Sequence, residues 1–532
     1  MSFVRPTVAA LAIIGLTSLL GPWWSVYEFN PDEGLNLQKA VLVAEGYRLH
    51  ADIWSDQPPI LTYLLAATHL VFPFSVPAAR ATVLLFGALL AGCLFRVTAR
   101  FDGTMAGWNA VVLLACSSLF LKLSVSVMVG LPAVALAMLA IDVATRPGSA
   151  RDHRNAAAAG GVFALAALTK LFVVLILPAA LAGTWMAARG DRSRRAGVLA
   201  CLWFLGAAAI TVPVVFVLVR GFSLEQLVGT HAIARQTEDF ETIGGFVVLF
   251  ETLWRGAAVA LCTATAFGLA AFWKRPASHL LVPILWLVAA ITLLGTHRPF
   301  WDHQVLLLVP PLCWLGGVGL KSLFVKGERL GIVDRIAKHP HRMVRLGGGA
   351  LVLSFLAAMA ALALKDMRHV QQLLNARPTI AQEMASTSLA VLGSASQVVV
   401  TDKPMDAFRQ RKSVPPNLAV WSEKRIAVGG ITEDEILHEV RTHPDSPVML
   451  RRRGYSPDLL NRIGALTPRL STATEGYSKP SIPLFAATAP ETPLESRLLA
   501  HLPMVVAGSL GGLDGQQPGE RLARPDPPVT FA

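Results

Sequence analysis

Charge is what this sequence has least of. Asp, Glu, Lys and Arg make up 15% of its 532 residues, against about 25% in soluble proteins. Too few remain to wet a globular surface of this size. The several soluble domains that the length would suggest are therefore excluded, and so are a disordered chain, a collagen and a coiled coil. Acids are the scarcer sign, 35 Asp and Glu against 47 Lys and Arg, a net charge of +12. In a soluble protein that excess would point to nucleic acid. In a chain that is 53% apolar with a mean hydropathy of +0.52, it is the enrichment of basic residues in cytoplasmic loops, and no nucleic-acid partner is expected. Cysteine is scarce too. Cys93, Cys116, Cys201, Cys262 and Cys313 stand in apolar runs without CxxC spacing, which excludes a disulfide framework and a cysteine zinc site.

Long apolar runs are abundant. A bilayer needs roughly 20 apolar residues per helix, and the candidate spans are 7–22, 78–99, 103–121, 132–145, 155–169, 171–188, 196–219, 255–273, 278–296, 303–320 and 346–364. Arg5 precedes the first, and Gly21-Pro22-Trp23-Trp24 follows it where a signal peptide would carry a small-residue cleavage site. That pattern reads as a retained helix with its arginine inside and its tryptophans at the outer interface. Alternation then puts inside Arg96/Arg100, Arg146/Arg151/Arg154, Arg189/Arg192/Arg194/Arg195, Lys274/Arg275 and the run from Lys321 to Arg345. Residues 59–74 are apolar enough to span, but spanning would turn every later loop around. They are expected along the outer interface or re-entrant within it.

After Lys365 the character changes. Gln397–Val400 and Val448–Leu450 read as strands, and Thr432-Glu433-Asp434-Glu435 is a capping box opening a helix through about Arg441. The expected architecture is an α-helical polytopic membrane protein of about eleven transmembrane helices, with outer-face interfacial helices in its first loop and a small C-terminal α/β extracytoplasmic domain. Residues 1–364 form the transmembrane part and 365–485 the small domain. Residues 486–532, rich in Pro, Gly and charge, read as a disordered tail. No internal repeat is visible.

Ionisable groups on the outer side are candidates for chemistry: Asp32, Glu33, Asp56, Lys122, Lys170, His231, Arg235, His297, Arg298, Asp302 and His303. Each has a structural reading beside it. In Asn30-Pro31-Asp32-Glu33, Asn can cap a helix, Pro fits its first position and the acids complement the helix dipole. Asp56-Gln57-Pro58-Pro59 is also a helix start. Lys170 stands alone in the apolar stretch 156–188, where a charge costs several kcal/mol unless paired or hydrated; snorkelling competes with holding an anion. His297-Arg298-Pro299-Phe300-Trp301-Asp302-His303 joins an interfacial aromatic pair to groups suited to phosphate. Two His and one Asp are too few to name a metal site.

With these residues the chain resembles the membrane glycosyltransferases of the C superfamily, particularly protein O-mannosyltransferases and the lipid A aminoarabinose transferases. The likeness rests on Asp32-Glu33 after the first helix, Glu45-Gly46-Tyr47, Gln57-Pro58-Pro59, Leu168-Thr169-Lys170 and Pro299-Phe300-Trp301-Asp302-His303 leading into Pro310-Pro311. It implies transfer of a sugar from a polyprenyl-phosphate donor to a lipid, glycan or protein acceptor. The reaction would run with inversion at the extracytoplasmic face of a bacterial cell membrane. Asp32 would be the base with Glu33 beside it; Lys170, Arg298 and His303 would contact the donor phosphate. Asp56, Gln57, Lys122, His297 and Asp302 are further candidates. Relatives often carry a second acid where this chain reads Val127-Met128-Val129-Gly130-Leu131-Pro132. A divalent metal between two acids is thereby put in doubt, and metal dependence stays open. Two other readings use the same residues: a flippase for a lipid-linked sugar, and an inactive scaffold.

Overall fold

The computed structural model describes residues 4–146, 152–189, 194–221, 223–229, 246–247, 249, 257–274, 277–297, 301–329, 343–392, 396–422, 425–426, 429–451, 455–467 and 484–485. Arg298, His231, Arg235, the tail 486–532 and the middle of the Lys321–Arg345 run lie outside the described residues.

The chain is mostly helical, and each apolar run of the sequence lies on a helix. In order these are α1 (Val4–Leu20), α2 (Asp32–Ala44), α3 (Ile60–Val71), α4 (Val76–Asp102), α5 (Thr104–Ala115), α6 (Ser118–Ser124), α7 (Gly130–Ala144) and α8 (Asp152–Ala167). A 3-10 turn, Leu171–Ile176, leads into α9 (Leu177–Arg189), followed by α10 (Arg194–Val219), α11 (Ala257–Lys274) and α12 (Leu281–Thr296). A second 3-10 turn, Asp302–Leu308, opens α13 (Val309–Arg329), and α14 (Met343–Leu374) closes this part. Among the described residues, five helices are long and apolar enough to cross a membrane: Val76–Asp102, Leu171–Arg189, Arg194–Val219, Ser278–Thr296 and Asp302–Leu323. The chain is an integral membrane protein.

Two runs are shaped differently from the sequence reading. The expected span 103–121 is broken between α5 and α6, which meet at 75°. Ser117 causes the break: its hydroxyl accepts from Phe120 N at 3.3 Å and starts a new helix. Within 59–74, α3 has 12 residues, about 18 Å of rise against a hydrocarbon core of about 30 Å. It packs against α2 and α4.

The core runs along α4, α7 and α13 with Trp286 and Trp314 fully buried. α4 is flanked by α1, α5 and α7, and α13 by α5 and α11. Small residues let these helices touch: a Cβ on Gly268 would collide with the Leu315 carbonyl oxygen. Without a hydrophobic drive inside lipid, such backbone approach is what holds the bundle.

Beyond α14 come α15 (Ile380–Leu392), β1 (Val400–Thr401), α16 (Pro404–Arg409), α17 (Glu433–Thr442), β2 (Val448–Met449), α18 (Pro457–Leu466) and β3 (Leu484–Phe485). β1 and β2 pair in parallel, β2 and β3 antiparallel. The strands are shorter than the sequence suggests. α17 starts at Thr432 with both hydrogen bonds of the capping box. This part has its own core of Val400, Trp421, Leu437, Val448 and Leu459, yet it is not packed apart from the membrane part. α16 lies against α2, where a Cβ on Gly34 would collide with the backbone nitrogen of Met405. Gln38 Nε2 donates to the carbonyls of Lys412 at 2.9 Å and Pro404 at 3.3 Å.

Candidate active site

The site is built around the start of α2. Asn30 Oδ1 accepts from Asp32 N at 2.9 Å, and Pro31 is the residue at which the helix begins. Asp32 is half-buried there and Glu33 is fully buried.

The two acids are held in different ways. Glu33 accepts from Arg80 Nε at 3.1 Å, Arg80 Nη2 at 2.8 Å, Phe29 N at 2.7 Å and Val127 N at 2.8 Å. Both oxygens are spent on a guanidinium and two backbone amides. Of the expected pair, Glu33 is thus a tie between α4, the loop before α2 and the segment before α7. Arg80 completes it by donating to the carbonyls of Trp23 and Val26, each at 2.7 Å, and lying 4.5 Å from the centre of the Phe29 ring.

Asp32 faces along α2 instead. Lys39, seven residues on and so on the same face of the helix, is 2% exposed. Burial pulls its ammonium down from the usual lysine range, and the charges of Asp56 and Asp32 pull it back up. Lys39 Nζ also reaches Ser55 Oγ at 3.5 Å, and Ser55 Oγ bonds both the amide and the carbonyl of Gln57 at 3.1 Å. Asp32 and Asp56 thus both lie within electrostatic reach of one buried lysine. His50 Nε2 lies 3.1 Å from the Gln57 carbonyl, and burial with the Lys39 charge pushes its imidazole down to about 4.

The cations gather next to this. Lys170 sits in extended backbone (φ −152°, ψ 122°) at the break between α8 and the 3-10 turn. The break is pinned by Ile60 N donating to Leu168 O at 3.2 Å. Lys170 Nζ is 4.0 Å from the Cβ position of Gly130 and 5.1 Å from the centre of the Phe172 ring. His297 stands edge-on to that ring at 4.7 Å. His303, on the turn that packs against α6, α7 and α12, is within electrostatic reach of both Lys170 and Lys122. Lys122 is within reach of Asp302 and Glu33. The residues Val127–Gly130 connect the two halves: Val127 binds Glu33 and Asn36, and Gly130 abuts Lys170. Three residues span at most about 10 Å.

Sequence reasoning misses Arg80, Lys39 and the C-terminal clamp. Tyr27 Oη donates to Asp406 Oδ1 at 2.5 Å, and Arg451 pairs with the other oxygen of Asp406. Arg409 donates to the carbonyls of Val26 and Tyr27 at 2.6 and 2.7 Å. The loop before α2 is thus gripped by Arg80 from the membrane part and Arg409 from the C-terminal part, both on the Val26 carbonyl. Among the described residues, no group of three or more His, Cys, Asp and Glu side chains is placed to hold a metal.

Residues 56–217 match the family model described as dolichyl-phosphate-mannose-protein mannosyltransferase. No curated protein matches the chain. Two of the similar solved structures are of ArnT from Cupriavidus metallidurans. The one bound to undecaprenyl phosphate aligns over 90% of this chain and 98% of its own, at 12% identity and a TM-score of 0.62. The apo structure aligns over 90% and 99%, at 12% identity and a TM-score of 0.60.

Proposed function

We propose that this protein, which has the fold of the membrane glycosyltransferases of the C superfamily, transfers a sugar from a polyprenyl-phosphate donor to an acceptor hydroxyl at the outer membrane face. The observation that carries the reading is that the start of α2, which bears Asp32, is tied through Glu33 to Val127, three residues from Gly130, against which Lys170 lies with His303 and Lys122 in electrostatic reach of one another.

In this reading the lipid phosphate lies against Lys170, Lys122 and His303, and Arg298, a candidate from the sequence, is a further contact. ArnT, of the same fold, binds undecaprenyl phosphate, which supports a polyprenyl carrier here. The acceptor hydroxyl approaches Asp32. As the anomeric carbon–phosphate oxygen bond breaks, the acceptor oxygen bonds that carbon from the opposite side and its proton passes to Asp32. The charge left on the departing phosphate is met by the two ammonium groups. Lys39, within electrostatic reach of Asp32 and Asp56 and bonded to Ser55, keeps the Asp56-Gln57 turn at the acceptor side. No step needs Glu33, whose work is to keep the loop and α7 in register.

Asp32→Asn tests this, since Asn keeps the shape and much of the helix-start geometry. Transfer to acceptor should fall about 10²–10⁴-fold with donor binding retained. An unchanged rate sinks the base assignment, and lipid-sugar translocation by the same variant would replace transferase with flippase. The sidedness is checked separately. A cysteine at position 422 should react with an impermeant thiol reagent from outside, and one at position 322 only after the membrane is opened; the reverse pattern inverts the site.

A further inference from the structure

The far end of α4 carries a basic cluster that sugar transfer does not use. Arg96 and Arg100 on α4 and Arg146 just past α7 all close on the fully buried carboxylate of Asp142. Arg100 has a structural role there. It donates to Asp142 Oδ1 at 2.9 Å, to the Asp142 carbonyl at 3.3 Å and to Thr145 Oγ1 at 2.5 Å, capping the last turn of α7. Arg96 and Arg146 then share the one remaining oxygen, Oδ2, Arg146 at 3.4 Å.

The charges do not balance. One carboxylate faces three guanidiniums, and Arg96 Nε is buried with no hydrogen-bond partner among the described residues. The side chains of Arg96 and Arg146 are 25% and 44% exposed, so both reach the surface with donors to spare. Depth identifies the surroundings. From Arg80 to Arg96 is sixteen residues of one helix, about 24 Å, which approaches the hydrocarbon thickness of a bilayer. If the Asp32 site lies at one headgroup level, the cluster lies near the other. A guanidinium fork matches the oxygens of phosphate in the way it matches a carboxylate.

We propose that Arg96 and Arg146 form a binding site for a phosphate oxyanion, supplied by the headgroup of an anionic phospholipid in the leaflet opposite the candidate active site. Asp142 and Arg100 are its floor: they hold the two outer guanidiniums side by side and cancel part of their mutual repulsion.

The test uses the full chain in a neutral detergent. Retained lipid is read by native mass spectrometry after addition of phosphatidylglycerol or phosphatidylcholine, and unfolding temperature is read in lipid-free protein with and without inorganic phosphate. Wild type should retain phosphatidylglycerol about fivefold over phosphatidylcholine, and Arg146→Gln should bring the two to parity, as one guanidinium near a charged headgroup is worth about that factor. Arg146 is chosen because Arg96 and Arg100 stay on Asp142. Should the variant fail to fold, the comparison of the two lipids in wild type still decides. Stabilisation by inorganic phosphate without lipid preference would overturn the lipid source and leave a soluble phosphate as the ligand. Equal retention of both lipids with no effect of phosphate would overturn the site.

Discussion

The two ends of α4 each hold a buried carboxylate, and the two are balanced in opposite ways. At the Arg80 end the pair is closed: Glu33 takes all the hydrogen bonds Arg80 offers to carboxylates, and Asp406 beside it is paired with Arg451. At the Arg96 end a single acid, Asp142, serves three arginines. A closed one-to-one pair with both oxygens bonded to donors is a fastening. A surplus of either sign is where a ligand or a proton can enter. Arg80→Met breaks the fastening and leaves Glu33 charged, buried and facing only two amides. The expected loss is about 3–5 kcal/mol, seen as a large drop in unfolding temperature and in the yield of folded protein. Arg146→Gln, at the surplus end, should cost less than about 1 kcal/mol. Equal losses would mean that both ends are fastenings and that the surplus carries no meaning.

The second test places a new acid beside the cations at the Arg80 end. Gly130 lies beside Lys170 with its Cβ position 4.0 Å from the ammonium. Gly130→Asp would supply a carboxylate within reach of that ammonium and neutralise a cation assigned to the donor phosphate. A charge-assisted hydrogen bond is worth about 1.5–3 kcal/mol, so donor affinity should fall about 10–100-fold with the fold intact. Tighter donor binding in the presence of a divalent ion would mean instead that the new acid recruits a metal, and Lys170 would lose its assigned role.

How much of this is legible in the sequence depends on the kind of signal. Apolar runs place the helices of the membrane part other than α2, because lipid allows few other structures; α15, α16 and α18 are not marked in this way. The break at Ser117 is not visible, since a serine pair in an apolar run caps nothing unless the chain turns there. Lys170 stands out as a charge in an apolar span. The same rule applied to Arg80, four residues inside α4, would find it, but a charge so near the end of a span also reads as an interfacial residue. Lys39 is hidden by its neighbours, because α2 is amphipathic and a lysine there reads as its wet face. Glu33 and Asp32 cannot be told apart by sequence: adjacent residues on a helix point about 100° apart, and only the position of Arg80 decides which one it ties down. The clamp of Arg409 and Asp406 on Val26 and Tyr27 joins residues nearly four hundred positions apart in the chain, beyond the reach of any local pattern. Arg298 lies outside the described residues, so its place rests on the sequence alone.

The last test reads the loop before α2 through one of its own acids. Glu28 lies in the loop between α1 and α2. Burial, and then the negative charges of Glu33 and Asp406, push its carboxyl up to about 8, against the pull of Lys403 and Arg451. Its folded value is above its ordinary one of 4.5, so between these pH values the folded protein keeps a proton that the unfolded chain has released. Stability from this group is therefore full below about pH 4.5, declines as pH rises through the window, and levels off above about 8. Glu28→Gln is a mimic of the protonated form and has no such slope. Unfolding curves in detergent should nearly coincide for the two proteins at about pH 5 and separate by a few degrees at about pH 8, the variant being the more stable. Parallel curves across the range would mean that Glu28 is ionised and hydrated. The loop under Arg80 and Arg409 would then be open to water and would owe its order to the two arginines alone.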